Sequence, residues 1–283
     1  MKLVRFGPPG REKPGIIDKN GIIRDLSRVV HDITPETLAD GALAKIKKAR
    51  AEALPAAPKK VRIGPCVGGV RNFIAIGLNY ADHAAETGAT IPKEPIVFNK
   101  APSCIVGPND TIVIPKNSVK TDWEVELAVV IGKGGSYIGE DKALSHVAGY
   151  TICHDVSERE FQLERSGQWT KGKGCPTFGP LGPWLVTRDE IKDVQGLAMF
   201  LDVDGQRRQT GSTATMIFGV AFLVSYLSQF MKLEAGDVIT TGTPPGVGSG
   251  MKPPRFLTGG ETIHLGIAGL GEQTQKVVKY KAK

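Results

Sequence analysis

Two acidic residues separated by one position, Glu124 and Glu126, lie in the run Thr121-Asp122-Trp123-Glu124-Val125-Glu126-Leu127-Ala128-Val129-Val130. Its β-branched content predicts a strand. Side chains alternate along a strand, so both carboxylates fall on one face, about 7 Å apart at Cα. That face continues into Ala128 and Val130, where polar surface gives way to core. Carboxylates buried side by side repel each other and lose hydration, which is costly unless a cation offsets it. Oxygen-only donors suit Mg²⁺, Mn²⁺ or Ca²⁺ rather than zinc. The ordinary alternative is a strand whose polar face meets water.

A third carboxylate, Asp155, ends the apolar run VAGYTICH at a strand-to-helix junction, where it can aim into a cleft. Ser157 to Glu160 reads as a capping box for the helix that follows. Arg159 and Gln162, three apart, share a face of that helix. A short helix is also expected at Asn79-Tyr80-Ala81-Asp82-His83-Ala84-Ala85-Glu86-Thr87-Gly88, with Asn79 as N-cap and Gly88 as the closing residue. Tyr80, His83 and Glu86 fall on one side of it. A carboxylate against one imidazole nitrogen fixes the tautomer and raises basicity, as a general base needs. Taken alone, a histidine on a short helix is more often structural or solvated.

The run Thr240-Thr241-Gly242-Thr243-Pro244-Pro245-Gly246-Val247-Gly248 follows a strand and exposes backbone N–H groups. It lacks the Gly-Lys-Ser/Thr ending of a phosphate loop, which argues against nucleotide binding. It can still donate to a carboxylate or oxyanion, or be only a tight turn. Lys171 and Lys173 sit in the Gly/Pro-rich run QWTKGKGCPTFGP, as surface tethers or as an anion clamp.

The elements that must position these residues are mostly short strands. Residues 1–65 read as a small unit with three strands, a hairpin at Lys19-Asn20-Gly21 and a helical stretch from Thr34 to Glu52. The segment LPAAPKKVRIGP is the candidate linker, and residues 66–283 form the larger unit. There FIAIG, TIVIP, WEVELAVVIG, DVITTG, ETIHLGIAG and TQKVVKY are strand-like, and Asp204-Gly205 marks a hairpin. MIFGVAFLVSYLSQFM, apolar all round, is expected to be a mostly buried helix. This order predicts an α+β fold built on a mixed, folded-over sheet.

Composition narrows the partners. The 283 residues carry a formal net charge of +7, yet no basic stripe interleaved with aromatics appears, so nucleic acid is not expected. No apolar stretch is long enough to cross a bilayer. Cys66, Cys104, Cys153 and Cys175 lie far apart without a C-x-x-C pair, which fits a reducing, cytoplasmic setting.

In sequence order, GLNYADHAAE, TDWEVELAVVIG, HDVSEREFQ, GKGCPTFGPLGPWLVT and TTGTPPGVG resemble the fumarylacetoacetate hydrolase family, from about Phe73 to the C-terminus. The resemblance implies a mixed β-sandwich roll with a small N-terminal α/β unit, and a homodimer. It implies metal carboxylates at Glu124, Glu126 and Asp155, usually around Mg²⁺ with Mn²⁺ possible, and a water-activating dyad at His83 and Glu86. Lys173 corresponds to a lysine that stabilises developing negative charge. Arg159, Gln162 and Thr243 correspond to substrate contacts, and Tyr80 is a further candidate beside the dyad. Water is expected where larger members place another aspartate.

The implied activity is hydrolysis of a C–C bond in a 2,4-dioxo acid. The chain looks similar to short bacterial members acting on 2,4-dioxo-3-deoxy sugar acids of the fuconate or rhamnonate type, which would give pyruvate and a hydroxy acid. Ureidoglycolate lyase, a 2-oxo acid decarboxylase or isomerase, and a non-catalytic oxo-acid binding module remain open, because fold and metal do not fix the reaction.

Overall fold

A computed structural model describes residues 1–39, 41–88 and 90–282. The fold is α+β, and its main element is a ten-stranded mixed sheet. Across that sheet the strands run Ile23–Asp25, Lys13–Ile17, Lys2–Phe6, Gly179–Thr187, Val147–His154, Val125–Ile131, Val238–Thr240, Phe73–Gly77 and Ile96–Lys100, with Ile105–Val106 pairing on Gly179–Thr187. A second sheet has five strands, Gln206–Ser212, Ala198–Val203, Thr262–Ile267, Gly271–Lys279 and Ile112–Ile114. The three strands before residue 26 continue the large sheet, because Lys2 and Leu3 pair with Val186 and Leu185.

Every residue of the strand Val125–Ile131 is buried, and so is every residue of its neighbour Val147–His154. A strand covered on both faces reads as a near-continuous apolar run, as these two do apart from Glu126, Thr151 and His154. Around them Leu127, Val129, Ile152, Ile239, Leu201 and Leu265 join one core that binds the two sheets. The Asp204-Gly205 hairpin forms as expected: both residues have positive φ, 52° and 73°, as a two-residue turn between twisted strands requires.

Two helical expectations are corrected. The stretch from Thr34 to Glu52 is broken into Pro35–Ala39, Ala42–Lys48 and a short turn at Ala51–Ala53. Gly41, at φ 66°, stands in the left-handed conformation that interrupts the helix; residue 40 lies outside the described residues. The apolar run after Met216 is helical only over Val220–Leu227. Asn79 holds the preceding residues extended: its carbonyl accepts from Ile217 N and its Oδ1 from Phe218 N. That helix buries Val220, Leu223, Val224 and Leu227, while Phe218, Phe222 and Tyr226 form a half-buried aromatic row ending at exposed Phe230. Among the described residues no helix is long and apolar enough to cross a membrane.

Candidate metal centre and active site

Strand register brings the three carboxylates together. Val125–Ile131 pairs antiparallel with Val147–His154, which sets Glu126 opposite Cys153 and Val125 opposite His154. The chain continues one residue past each end, and Asp155 N donates to the Glu124 carbonyl at 2.9 Å. Glu124, Glu126 and Asp155 are buried and each offers an oxygen within 4.8 Å of the other two. Glu126 Oε2 also accepts from Gly242 N at 2.9 Å. Gly242 has φ 89°, and a Cβ there would meet Asn79 Cβ at 2.9 Å, so this donor needs glycine.

Three cations answer these acids. Lys173 Nζ donates to Glu124 Oε2 at 2.6 Å and to Asp155 Oδ2 at 2.7 Å. Arg159 gives NH2 to Glu124 Oε1 at 2.7 Å, Nε to Asp122 Oδ2 at 2.8 Å and NH1 to Gln162 Oε1 at 3.1 Å. Lys100, at the end of Ile96–Lys100, gives Nζ to Asp155 Oδ1 and to the Lys173 carbonyl, both at 2.5 Å. All seven groups are buried: four carboxylates (Asp122, Glu124, Glu126, Asp155) against three cations.

That imbalance of one falls on Glu126. Burial raises its carboxyl pKa well above the usual range, and the neighbouring Asp155 and Glu124 charges raise it further. Burial works the same way on Glu124, but Lys173 and Arg159 outweigh it and hold that carboxyl low. Burial opposes charge on Lys100, whose pKa is nevertheless raised by Asp155. A proton on Glu126 balances the cluster. A divalent ion in its place leaves one net positive charge, which suits a monoanionic ligand. Three convergent carboxylates, one held back from ionising by the lack of a counter-charge, fit a hard divalent cation.

The dyad sits above this cluster. His83 Nδ1 meets Glu86 Oε2 at 3.1 Å on the helix Ala81–Thr87, which Gly88 closes at φ 67°. Both Glu86 oxygens accept from Gly246 N, at 3.0 and 3.1 Å, tying the dyad's helix to the Gly-rich loop. Thr243 Oγ1 donates to the Val125 carbonyl at 2.9 Å and accepts from Gln209 Nε2 at 2.8 Å.

A cleft of about 160 Å³ opens on these groups. His83, Glu124, Glu126, Arg159, Gln162 and Lys173 line it, with Thr243 and Gly242 beside them. Asp155 lies just beneath, fully buried. Tyr80 is not brought in: it is buried, its hydroxyl donates to Met199 Sδ at 3.3 Å, and it does not line the cleft.

Two local expectations are corrected. Asn79 is not the N-cap; that position falls to Tyr80, and the Asn79 amide donates to the Phe218 and Thr241 carbonyls. Ser157 does not cap the next helix either. Ser157–Glu158 pairs as a short strand with Thr121–Asp122, and Ser157 Oγ donates to the Asp155 carbonyl. Glu158 takes over the acceptor role, receiving Phe161 N at 2.6 Å, and a π-helical turn follows over Glu160–Glu164.

Sequence reasoning passed over Lys100 and Asp122. Asp122 accepts from Gly248 N, Ser249 N, Trp123 N and Arg159 Nε, and so joins the Gly-rich loop to the arginine. Its place two residues before Glu124 was the one available signal.

Residues 72–278 match the family model described as the C-terminal part of fumarylacetoacetate (FAA) hydrolase. A relative from Burkholderia multivorans, named provisionally as a hydrolase, is 60% identical over 97% of this chain and 98% of its own length. A solved fumarylacetoacetate hydrolase from Exiguobacterium antarcticum superposes with a TM-score of 0.87 at 36% identity, over 99% of this chain and 100% of that one. A maleylpyruvate hydrolase from Sphingobium sp. SYK-6, solved with manganese(II) ion and pyruvate, gives 0.83 at 26% identity over 99% and 100%.

Proposed function

The chain belongs to the fumarylacetoacetate hydrolase family, and we propose that it is a Mg²⁺- or Mn²⁺-dependent enzyme that hydrolyses a C–C bond of a 2,4-dioxo acid, releasing pyruvate and a second acid. One observation carries this reading: buried Glu124, Glu126 and Asp155 converge beneath a cleft that also presents a His–Glu dyad and a lysine. The relative solved with manganese and pyruvate fits the same chemistry.

Glu124, Glu126 and Asp155 would hold the ion. When bound, it supplies Lewis-acid stabilisation of negative charge on the 2-oxo group. His83, its Nδ1 held by Glu86, takes the proton of a water that attacks the 4-carbonyl carbon. The C3–C4 electron pair stays with the three-carbon fragment, which leaves as pyruvate enolate and is protonated at C3; the acyl fragment keeps the water oxygen. The Lys173 ammonium offers its charge to the developing oxyanion. Arg159 engages Gln162 through Oε1, which leaves the Gln162 N–H pair free to donate to a ligand.

The sugar-acid substrates named above form one arm of a panel of dioxo acids, and the proposed setting is a cytoplasmic homodimer, to be checked by light scattering. Turnover in ¹⁸O-water decides the reaction class. Label in the non-pyruvate acid, lost in His83→Ala, is the expected outcome. Pyruvate formed while the other product carries no label would replace hydrolysis by a lyase or decarboxylase, and a double-bond shift without pyruvate by an isomerase.

A further inference from the structure

We propose that the group carried on the 4-carbonyl of the substrate is a hydrocarbon, alkyl or aryl, rather than a hydroxylated chain. This rests on the cleavage reading above and specifies its substrate class. Polarity in the cleft is sorted by depth. Apart from His83 of the dyad above, its hydrogen-bonding side chains lie deep, with Glu124 6%, Glu126 2%, Arg159 8%, Gln162 3%, Lys173 2% and Thr243 4% exposed. From Lys173 outward the wall becomes apolar. Its Nζ lies 5.2 Å from the Phe98 ring centre, and the Phe98 and Trp169 rings are 5.1 Å apart. Leu163 then forms the rim at 55% exposed, with Leu78 also on the lining.

These groups are held in place. Trp169 lies against Gly77 so closely that a Cβ there would stand 2.5 Å from its ring, and the Trp169 carbonyl accepts from Lys173 N. The indole is therefore fixed by the segment that carries Lys173. Leu163 belongs to the same π-helical turn as Gln162.

Depth then assigns the parts of the substrate. The charged groups that would hold the ion and meet the carboxylate and 2-oxo group lie at the floor, so the acyl substituent runs outward along Phe98, Trp169, Leu163 and Leu78. Hydroxyls placed there would give up water for aromatic and aliphatic carbon without a partner. Alkyl carbons would gain, each fully buried methylene contributing about fourfold in affinity.

The test measures kcat/KM for pyruvate release, with Mg²⁺, across 2,4-dioxopentanoate, 2,4-dioxohexanoate, 2,4-dioxoheptanoate and 2,4-dioxooctanoate. The 5,6-dihydroxy derivative of 2,4-dioxohexanoate is assayed beside them. We expect a rise of about two- to fourfold per methylene, and at least a tenfold advantage for 2,4-dioxohexanoate over its dihydroxy derivative. Leu163→Asn should flatten the series while Leu163→Met preserves it. A flat or falling series in the parent enzyme, or preference for the dihydroxy acid, overturns the proposal but leaves the cleavage reading standing. No pyruvate from any of the five acids refutes both.

Discussion

Replacing Lys100 by methionine isolates the electrostatics of the cluster. Methionine nearly matches the aliphatic stem but carries no charge and no donor. In the metal-free protein this leaves Asp155 Oδ1 and the Lys173 carbonyl without their 2.5 Å partner inside a dry site. Breaking a buried pair in this way costs about 3–5 kcal/mol. At about 2–4 °C per kcal/mol for a chain somewhat smaller than this one, the melting temperature in chelator should fall by about 6–20 °C. A divalent ion returns a positive charge to Asp155 but leaves the Lys173 carbonyl unpartnered. With saturating Mg²⁺ the deficit should therefore shrink to about 1–3 kcal/mol. The assay is thermal melting of parent and variant, with chelator and with a Mg²⁺ series. The reasoning is refuted if the variant melts within a degree or two of the parent in chelator. It is equally refuted if Mg²⁺ raises both melting temperatures by the same amount, since Asp155 would then not be shared between Lys100 and the ion.

Other substitutions probe the remaining parts. Glu126→Gln replaces a carboxyl that the metal-free site already disfavours ionising, so its stability in chelator should stay within about 1 kcal/mol. Its Mn²⁺ affinity, read by calorimetry, should fall at least about 100-fold. The sign of the pH dependence follows from the same group. Its pKa is raised in the metal-free fold, so as pH falls through it a proton replaces the ion; Mn²⁺ affinity should weaken on acidification, and binding should release protons, detected as a buffer-dependent enthalpy. Asp122→Asn weakens the junction between Arg159 and the amides of Gly248 and Ser249; we expect a loss of about 2–4 kcal/mol in urea denaturation. His83→Ala should lower turnover by about 10²–10⁴ while Mn²⁺ affinity by calorimetry changes less than twofold, because the proposed ligands are the three carboxylates alone.

The residues of the site were legible where one short segment contained both halves of an interaction. Glu124 and Glu126 alternate along one extended segment, His83 and Glu86 are three apart on one helix, and Arg159 and Gln162 are three apart about the π-helical turn, so local periodicity was enough to pair them. Lys100 was not legible, since its partners Asp155 and Lys173 are 55 and 73 residues away and only the sheet brings them together. Ser157 was misread because the capping pattern is local, whereas pairing with Thr121–Asp122 is not. The same holds for Asn79, whose side chain is taken by Phe218 and Thr241 instead of the helix it precedes. Tyr80 shares the dyad's side of the sequence pattern, yet as the extended residue before the helix it points into the core. The long apolar run after Met216 shows the limit of hydropathy, which gave its helical length too generously.

Diffraction from a crystal grown with Mn²⁺, recorded at the manganese edge, tests the central claim most directly. One anomalous peak per chain is predicted, about 2.0–2.3 Å from an oxygen of each of Glu124, Glu126 and Asp155, with the Lys173 ammonium displaced from between Glu124 and Asp155. A map with no peak among those three carboxylates, and with Lys173 still bridging two of them, would contradict it.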